Sequence, residues 1–444
     1  MMRNVKSRIK KSGFICSKNT LEYTLIFFIF LISFINESFL LLALISSLML
    51  FSQKSVGAIK ILNLLTLRTI INPGIAVNIS SWQSLKWGII FLSSTYLVTK
   101  YFKMSYNDKN AVNKIIFWGV LYSLYSIISS IFYSSLPVVA SFKVISYIYV
   151  FLGILIGVNQ TRDNFDWNKW MQKLLQPVIV ISLFTISTDF AYLRNGYSFQ
   201  GLTNHPNMFG MIAGLFVSII LFNLINNNVK NKGMSYILIG ITIFMVVLCK
   251  SRTALITILF AIIVYIMVVK VNKVLKGMII SLSTSVFIFY SVIDNSLIES
   301  LIGLIYKGHD NIIYSRVNQF DGLIDNFLRS PIFGSGFAVP VLPFKSYEFS
   351  FDFVVEPGNI VLAILSYGGI IGFILFVLYF LSLISFKKNK SKYLIILPIT
   401  ILLINMGEMV YFSTNNIGIL IYMFLAIYVA NNPKINYKNR KENI

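Results

Sequence analysis

Polar residues in this chain come in short bursts, and the apolar runs between them have the length that a bilayer core of about 30 Å requires of helices. The runs fall at 21–36, 38–52, 87–102, 113–135, 137–158, 170–190, 206–226, 234–249, 252–271, 277–293, 359–385, 393–411 and 416–430. The alternating segments of about ten residues that build a membrane β-barrel are absent. The pattern predicts an all-α polytopic membrane bundle of about 12–14 transmembrane helices. Segment 56–80 is ambiguous, being apolar but carrying Lys60, Arg68 and the helix breaker Asn72-Pro73-Gly74. Such a break is tolerated at membrane depth only where protein or water satisfies the freed backbone. The segment therefore reads as a crossing or as a broken, partly re-entrant one. Counting it gives the higher helix number. The lower number takes 21–51 as one tilted unit, leaving Lys54, Lys60, Arg68 and Lys86 outside and Glu37 within a span.

One polar interruption, 294–358, is far longer than the others. Inside it Ile313, Val317, Phe320, Ile324 and Phe327 recur at steps of four and three, which marks one face of an amphipathic helix. Pro331 and Gly334 stop it. Such a helix is expected to lie along the membrane surface with its apolar face down, with Arg316 near its start. The chain thus divides into a basic tail (1–20), helices (21–293), an extracytoplasmic loop (294–358), further helices (359–430) and a second tail (431–444).

Composition agrees with this class. Of 444 residues, 56% are hydrophobic and 12% charged, with a mean hydropathy of +0.76; soluble domains carry roughly 25% charged residues. A net charge of +22 would suit nucleic acid. However, the basic clusters at 3–18, 100–114, 387–392 and 434–441 all fall on one side of the expected topology. That is the positive-inside pattern, so the expected partner is the lipid bilayer and no nucleic acid. It places the protein in the cytoplasmic (inner) membrane as a multi-pass chain with both termini cytoplasmic. The first apolar run follows a long basic segment and is followed at once by another, which reads as a retained helix rather than a signal peptide. Cys16 and Cys249 lie far apart, with Cys16 in the cytoplasmic tail, which argues against a disulfide or a thiol metal site. No cluster has metal-ligand spacing, and no glycine-rich phosphate loop with lysine occurs. The expected chemistry is metal-independent, uses no cofactor and acts on a pre-activated substrate.

The candidate residues lie on the outer side of this topology. Arg194, Arg252, Arg316 and Arg329 are its scarce arginines. A planar, always-charged fork suits phosphate or pyrophosphate, while a plain headgroup contact explains Arg252 and Arg316 equally well. Arg329, beside a turn, reads as solvated surface. In His205-Pro206-Asn207, the proline starts a helix, and Asn207 either caps it or bonds a sugar hydroxyl. His309, in a polar loop, reads as a surface histidine. Glu356, just before Pro357-Gly358, is either a general base or a helix-start charge favoured by the dipole. Gly368, Gly369 and Gly372 read as small residues that permit close helix packing.

Taken in order, several pieces resemble the O-antigen polymerase/O-antigen ligase superfamily (Wzy and WaaL types). They are Arg194-Asn195-Gly196, Gly201-Leu202-Thr203-Asn204-His205-Pro206-Asn207-Met208, Lys250-Ser251-Arg252-Thr253-Ala254-Leu255, Ser315-Arg316, Arg329-Ser330-Pro331-Ile332-Phe333-Gly334-Ser335-Gly336, and Asn359 with Gly369 and Gly372. The resemblance spans residues 137–430. It implies a GT-C-like membrane glycosyltransferase whose donor is an oligosaccharide on undecaprenyl pyrophosphate and whose acceptor is a sugar hydroxyl. Arg252 and Arg316 match the family's essential arginines, expected to bind the pyrophosphate. Arg194, His205, Asn207 and Asn359 are the remaining substrate-binding candidates. The ligases carry a histidine immediately before the asparagine, where this chain has Gly358. That departure favours a polymerase of O-antigen, capsule or exopolysaccharide repeat units, with Glu356 as the nearest titratable substitute. A chain-length regulator is a further candidate partner. The competing readings are a ligase of the same superfamily and a lipid-linked oligosaccharide flippase. Transporters often show internal repeats and paired broken helices, and neither is legible here.

Overall fold

The computed structural model describes residues 26–226, 231–268, 314–338, 358–384 and 395–431, with backbone alone at 107, 111, 268 and 314–319. The expected span 277–293, His309 and Glu356 lie outside these residues. The helices are α1 (Glu37–Ser47), α2 (Ser55–Thr69), α3 (Gln83–Thr99), α4 (Tyr106–Tyr133), α5 (Pro137–Thr161), α6 (Trp167–Phe184), α7 (Pro206–Ile225), α8 (Lys232–Cys249), α9 (Arg252–Val268), α10 (Tyr314–Arg329), α11 (Ile360–Ile384), α12 (Ile396–Gly407) and α13 (Gly418–Ala430). Among them α5, α7, α8, α11 and the 108–133 part of α4 are long and apolar enough to cross a membrane. Polar side chains start the helices where the apolar runs begin. Asn36, Ser105, Asp166 and Asn231 each accept a bond from a backbone N–H in the first turn of α1, α4, α6 and α8, which satisfies an otherwise orphaned donor.

Helix α5 is the hub, packed against α2, α3, α4 and α13, while α7 is enclosed by α6, α8, α9 and α12. The long polar contacts sort onto two faces. On one face Glu37 accepts from Ser81 (2.7 Å), Lys86 meets Asn415, and Lys143 donates to the Ala338 carbonyl (3.3 Å). On the other, Arg162 pairs with Asp108 (2.6 Å), Ser55 bonds Gln160 (2.9 Å) and Asn223 bonds Gln172 (2.8 Å). The helix before α1 ends at residue 32 and a turn covers 33–35. Residues 21–51 are therefore two elements rather than one tilted unit.

The ambiguous segment 56–80 divides into α2 and an irregular stretch that begins before Asn72. Asn72 is wholly buried and donates to the carbonyls of Phe190 (2.7 Å) and Gly201 (2.9 Å). A single antiparallel bridge joins Ile71 to Thr203. The loop before α7 thus satisfies the backbone that the Pro-Gly break frees. Arg68 is held by Ser33 and by the carbonyl of Val77 (2.6 Å), which is how a cation is tolerated among apolar helices.

Two further irregularities shape the outer face. Helix α11 is broken at Gly369, whose φ is +60°. The turn after α10 docks into the break: Ile370 N donates to Pro331 O (2.8 Å), Ser335 N to Ser366 O (2.9 Å) and Gly336 N to Tyr367 O (3.1 Å). Tyr125 Oη adds a bond to the Gly368 carbonyl (2.8 Å). Helix α11 is therefore broken where the sequence reading saw only close-packing glycines, and a protein turn fills the break. Helix α10 forms where the periodicity predicts, but its inner face differs. Leu323 is buried, while Ile324, expected on that face, is 42% exposed. One reason is that α10 packs on α11, so the helix has a protein-facing side as well as an exposed apolar edge at Ile324 and Leu328.

The second irregularity is the turn 408–417 between α12 and α13. These helices have 12 and 13 residues, so they rise about 18 and 20 Å against a core of about 30 Å. Their connecting turn meets α5 well inside that helix: Thr414 Oγ1 bonds Ser146 Oγ (3.3 Å), and Ser146 lies about 13 Å along α5 from its start at Pro137. Asn405 satisfies the turn's backbone by accepting from Val410 N (2.9 Å) and Tyr411 N (2.7 Å). The sequence reading carried this helix on to 411; the side chain of Asn405 replaces the helical acceptors and ends it at Gly407.

Candidate active site

Four elements bring their ends together beside this turn. Helix α7 opens with Pro206 at its first position and His205 as N-cap, whose Nδ1 accepts from Asn207 N (3.1 Å). In that geometry Nδ1 carries no proton, so the imidazole is neutral with its hydrogen on Nε2. Asn207 is therefore not the cap. Its side-chain Nδ2 instead donates to Glu408 Oε1 across a 2.6 Å bond. Glu408 is the first residue after α12, and its own N–H still donates to Ile404 O (2.9 Å).

Helix α9 closes the group. Cys249 ends α8, Lys250 turns the chain in the left-handed region (φ +53°), and Arg252 begins the next helix. That tight reversal packs on both neighbours. A Cβ at Gly210 of α7 would collide with Ser251 and Ala254, and one at Gly407 of α12 would collide with Thr253. The two glycines thus let the start of α9, with half-buried Arg252, approach the start of α7 and the end of α12 closely. A carboxylate, a neutral imidazole and a guanidinium are thereby carried on helix ends that meet at the expected outer face. A guanidinium suits a phosphate and a carboxylate can take a proton from a hydroxyl.

The other expected site residues fall differently. Arg194 is exposed on the loop before α7; its backbone N–H donates to Gln200 Oε1 (2.9 Å). Asn359 is the N-cap of α11, its Oδ1 accepting from Val361 N (3.0 Å) and Leu362 N (3.1 Å). A substrate-binding role for that oxygen gives way to a structural one. Arg316 lies in the first turn of α10. Glu408 was missed, although an acid within an apolar run expected to span is itself a signal. Two clefts of about 620 and 430 Å³ flank the helix before α1, are walled mostly by aliphatic and aromatic side chains such as Phe30, Leu64 and Leu174, and share no residue with the cluster.

Residues 236–377 match the family Wzy_C, described as O-Antigen ligase. No curated protein matches the chain. The matched stretch contains α8, α9, α10 and the break of α11, so it includes Arg252, Arg316 and Asn359, whereas His205, Asn207 and Glu408 come from outside it. That stretch, about a third of this polytopic helical membrane protein, is thus similar to the O-antigen ligase family, which supports a tie to the O-antigen ligase/polymerase superfamily.

Proposed function

We propose that this protein is a polysaccharide repeat-unit polymerase of the outer face of the cytoplasmic membrane. It transfers a glycan from an undecaprenyl-pyrophosphate donor to the hydroxyl of an acceptor sugar, without a metal. The observation that carries polymerase over ligase is Gly358 immediately before Asn359: a glycine has no group to activate an acceptor at the position where the ligases place a histidine. Arg252 and Arg316 hold the donor's pyrophosphate and stabilise the charge that grows as it leaves, a contribution that can dominate a barrier. Holding two long substrates in line supplies much of the remainder.

The experiment is complementation of a strain lacking the gene with Arg252→Ala and Arg316→Ala. Each variant is expected to leave single lipid-linked repeat units and to cut chain extension about 10²-fold or more. Wild-type chain lengths from both variants would sink the pyrophosphate clamp. A ligase would give another pattern: without the gene, long chains would persist on the lipid carrier and lack only their final acceptor.

A further inference from the structure

We propose that Glu408 is the carboxylate that takes the proton from the acceptor hydroxyl, and that Asn207 is the residue that positions it. The inference rests on the glycosyl-transfer reading and supplies that reading with a base. The location is the first argument. Glu408 directly follows a 12-residue apolar helix, and an acid among apolar helices is costly unless it is paired or faces a hydrated cavity. It is half-buried rather than sealed, so a hydroxyl can approach.

Fixation is the second argument. The Asn207 amide grips Oε1 at 2.6 Å, and Glu408 N–H continues the ladder of α12. Asn405 ties down the two following turn residues that it reaches, Val410 and Tyr411. A group held from both backbone and side chain loses little freedom when it reacts.

Elimination is the third. His205 uses Nδ1 as the α7 cap, which leaves Nε2 protonated, a donor rather than a base. Among the other described acids, Asp108 pairs with Arg162 on the opposite face, as does Asp163, and Asp166 caps α6 there. Glu37 accepts from Ser81 at the start of α1. Asp189, Asp321 and Asp325 are exposed on a loop and on α10. Glu408 alone of these lies on the helix end that meets the start of α9, its neighbour Gly407 packing on Thr253, the residue after Arg252.

The step balances simply. The acceptor oxygen forms a bond to the donor's anomeric carbon while that carbon's bond to the phosphate oxygen breaks. The electron pair leaves with the lipid pyrophosphate beside Arg252, and the hydroxyl proton passes to Glu408 and then to water.

The test uses the full-length protein purified into lipid nanodiscs and lipid-linked repeat units extracted from cells lacking the gene. Glu408→Gln keeps the size of the side chain and an oxygen for Asn207. It is expected to lower kcat about 10²–10³-fold with KM for the lipid-linked donor unchanged. Glu408→Asp recovers part of that rate, and Asn207→Ala, which frees the carboxylate without removing it, loses less than Glu408→Gln. Normal turnover by Glu408→Gln beside a dead Arg252→Ala overturns the base while leaving the polymerase intact; normal turnover by both removes the polymerase reading too. If Glu408→Gln and Glu408→Asp fall equally, with lowered thermal midpoints and a raised KM, Glu408 is a structural residue and the proposal is wrong.

Discussion

Lys86 is an ammonium enclosed near the outer end of α3, 1% exposed, with Asn415 Oδ1 as its acceptor among the described residues. Gln83 Nε2 donates to the same oxygen (3.2 Å). A hydrogen bond to a charged group typically contributes about 1.5–3 kcal/mol, whereas replacing a buried charge by a well-packed apolar group is often neutral. Asn415→Ala is therefore expected to destabilise by about 2 kcal/mol, Lys86→Met by less than about 1 kcal/mol, and the double variant no more than Lys86→Met alone. Denaturant unfolding in detergent measures all three. Equal losses for the two single variants would show that the lysine acts through packing instead. At this scale the sequence was only partly legible. Arg252 and His205 stood out because charged and titratable residues are rare at outer helix ends. The pairings Lys86–Asn415 and Asn207–Glu408 join distant parts of the chain, and hydropathy periodicity reports faces, not partners.

Between elements, the junction of the α10 turn with the break in α11 depends on two glycines. Gly334 (φ +76°) and Gly369 (φ +60°) face each other's strands of backbone, and a Cβ on either would collide with it: Tyr367 O and Gly368 N for Gly334, Ile332 O for Gly369. Left-handed conformations and close approach are both cheap only for glycine. Alanine at either site combines backbone strain of about 1–3 kcal/mol with a clash that undocks the turn, so Gly334→Ala and Gly369→Ala should each lower the thermal midpoint markedly and suppress chain extension. Gly372→Ala, which meets only the edge of the Tyr125 ring at 3.1 Å, should be much milder. Comparable midpoints for all three would refute the docking argument. Here Pro331 and Gly334 were legible as a helix stop, and Gly368 and Gly372 as packing residues against Tyr125. The break itself was not, because the sign of φ at Gly369 follows from what docks there, and hydrophobic pattern carries no trace of it.

At the scale of the molecule, the bundle was legible because lipid asks for long apolar runs and leaves few other solutions. The runs say less about helix ends: α12 and α13 have the hydropathy of spans but only 12 and 13 residues, and Glu408 stands in the turn between them. The sorting of contacts onto two faces makes the orientation testable. Ser84 and Asn195 are exposed on the face that carries the His205–Asn207–Arg252–Glu408 cluster, and Asn110 and Asn164 on the face of the Arg162–Asp108 pair. Positive charge on the cytoplasmic side sets the orientation of such chains, so the cluster is expected to face outward. With Cys16 replaced and buried Cys249 retained, single cysteines at 84 and 195 should react with a membrane-impermeant maleimide in intact cells. Cysteines at 110 and 164 should react only after permeabilisation. The reverse pattern would put the cluster in the cytoplasm, where a donor already carried to the outer leaflet cannot reach it, and the outer-face polymerase would fail with it even if Arg252 proved essential.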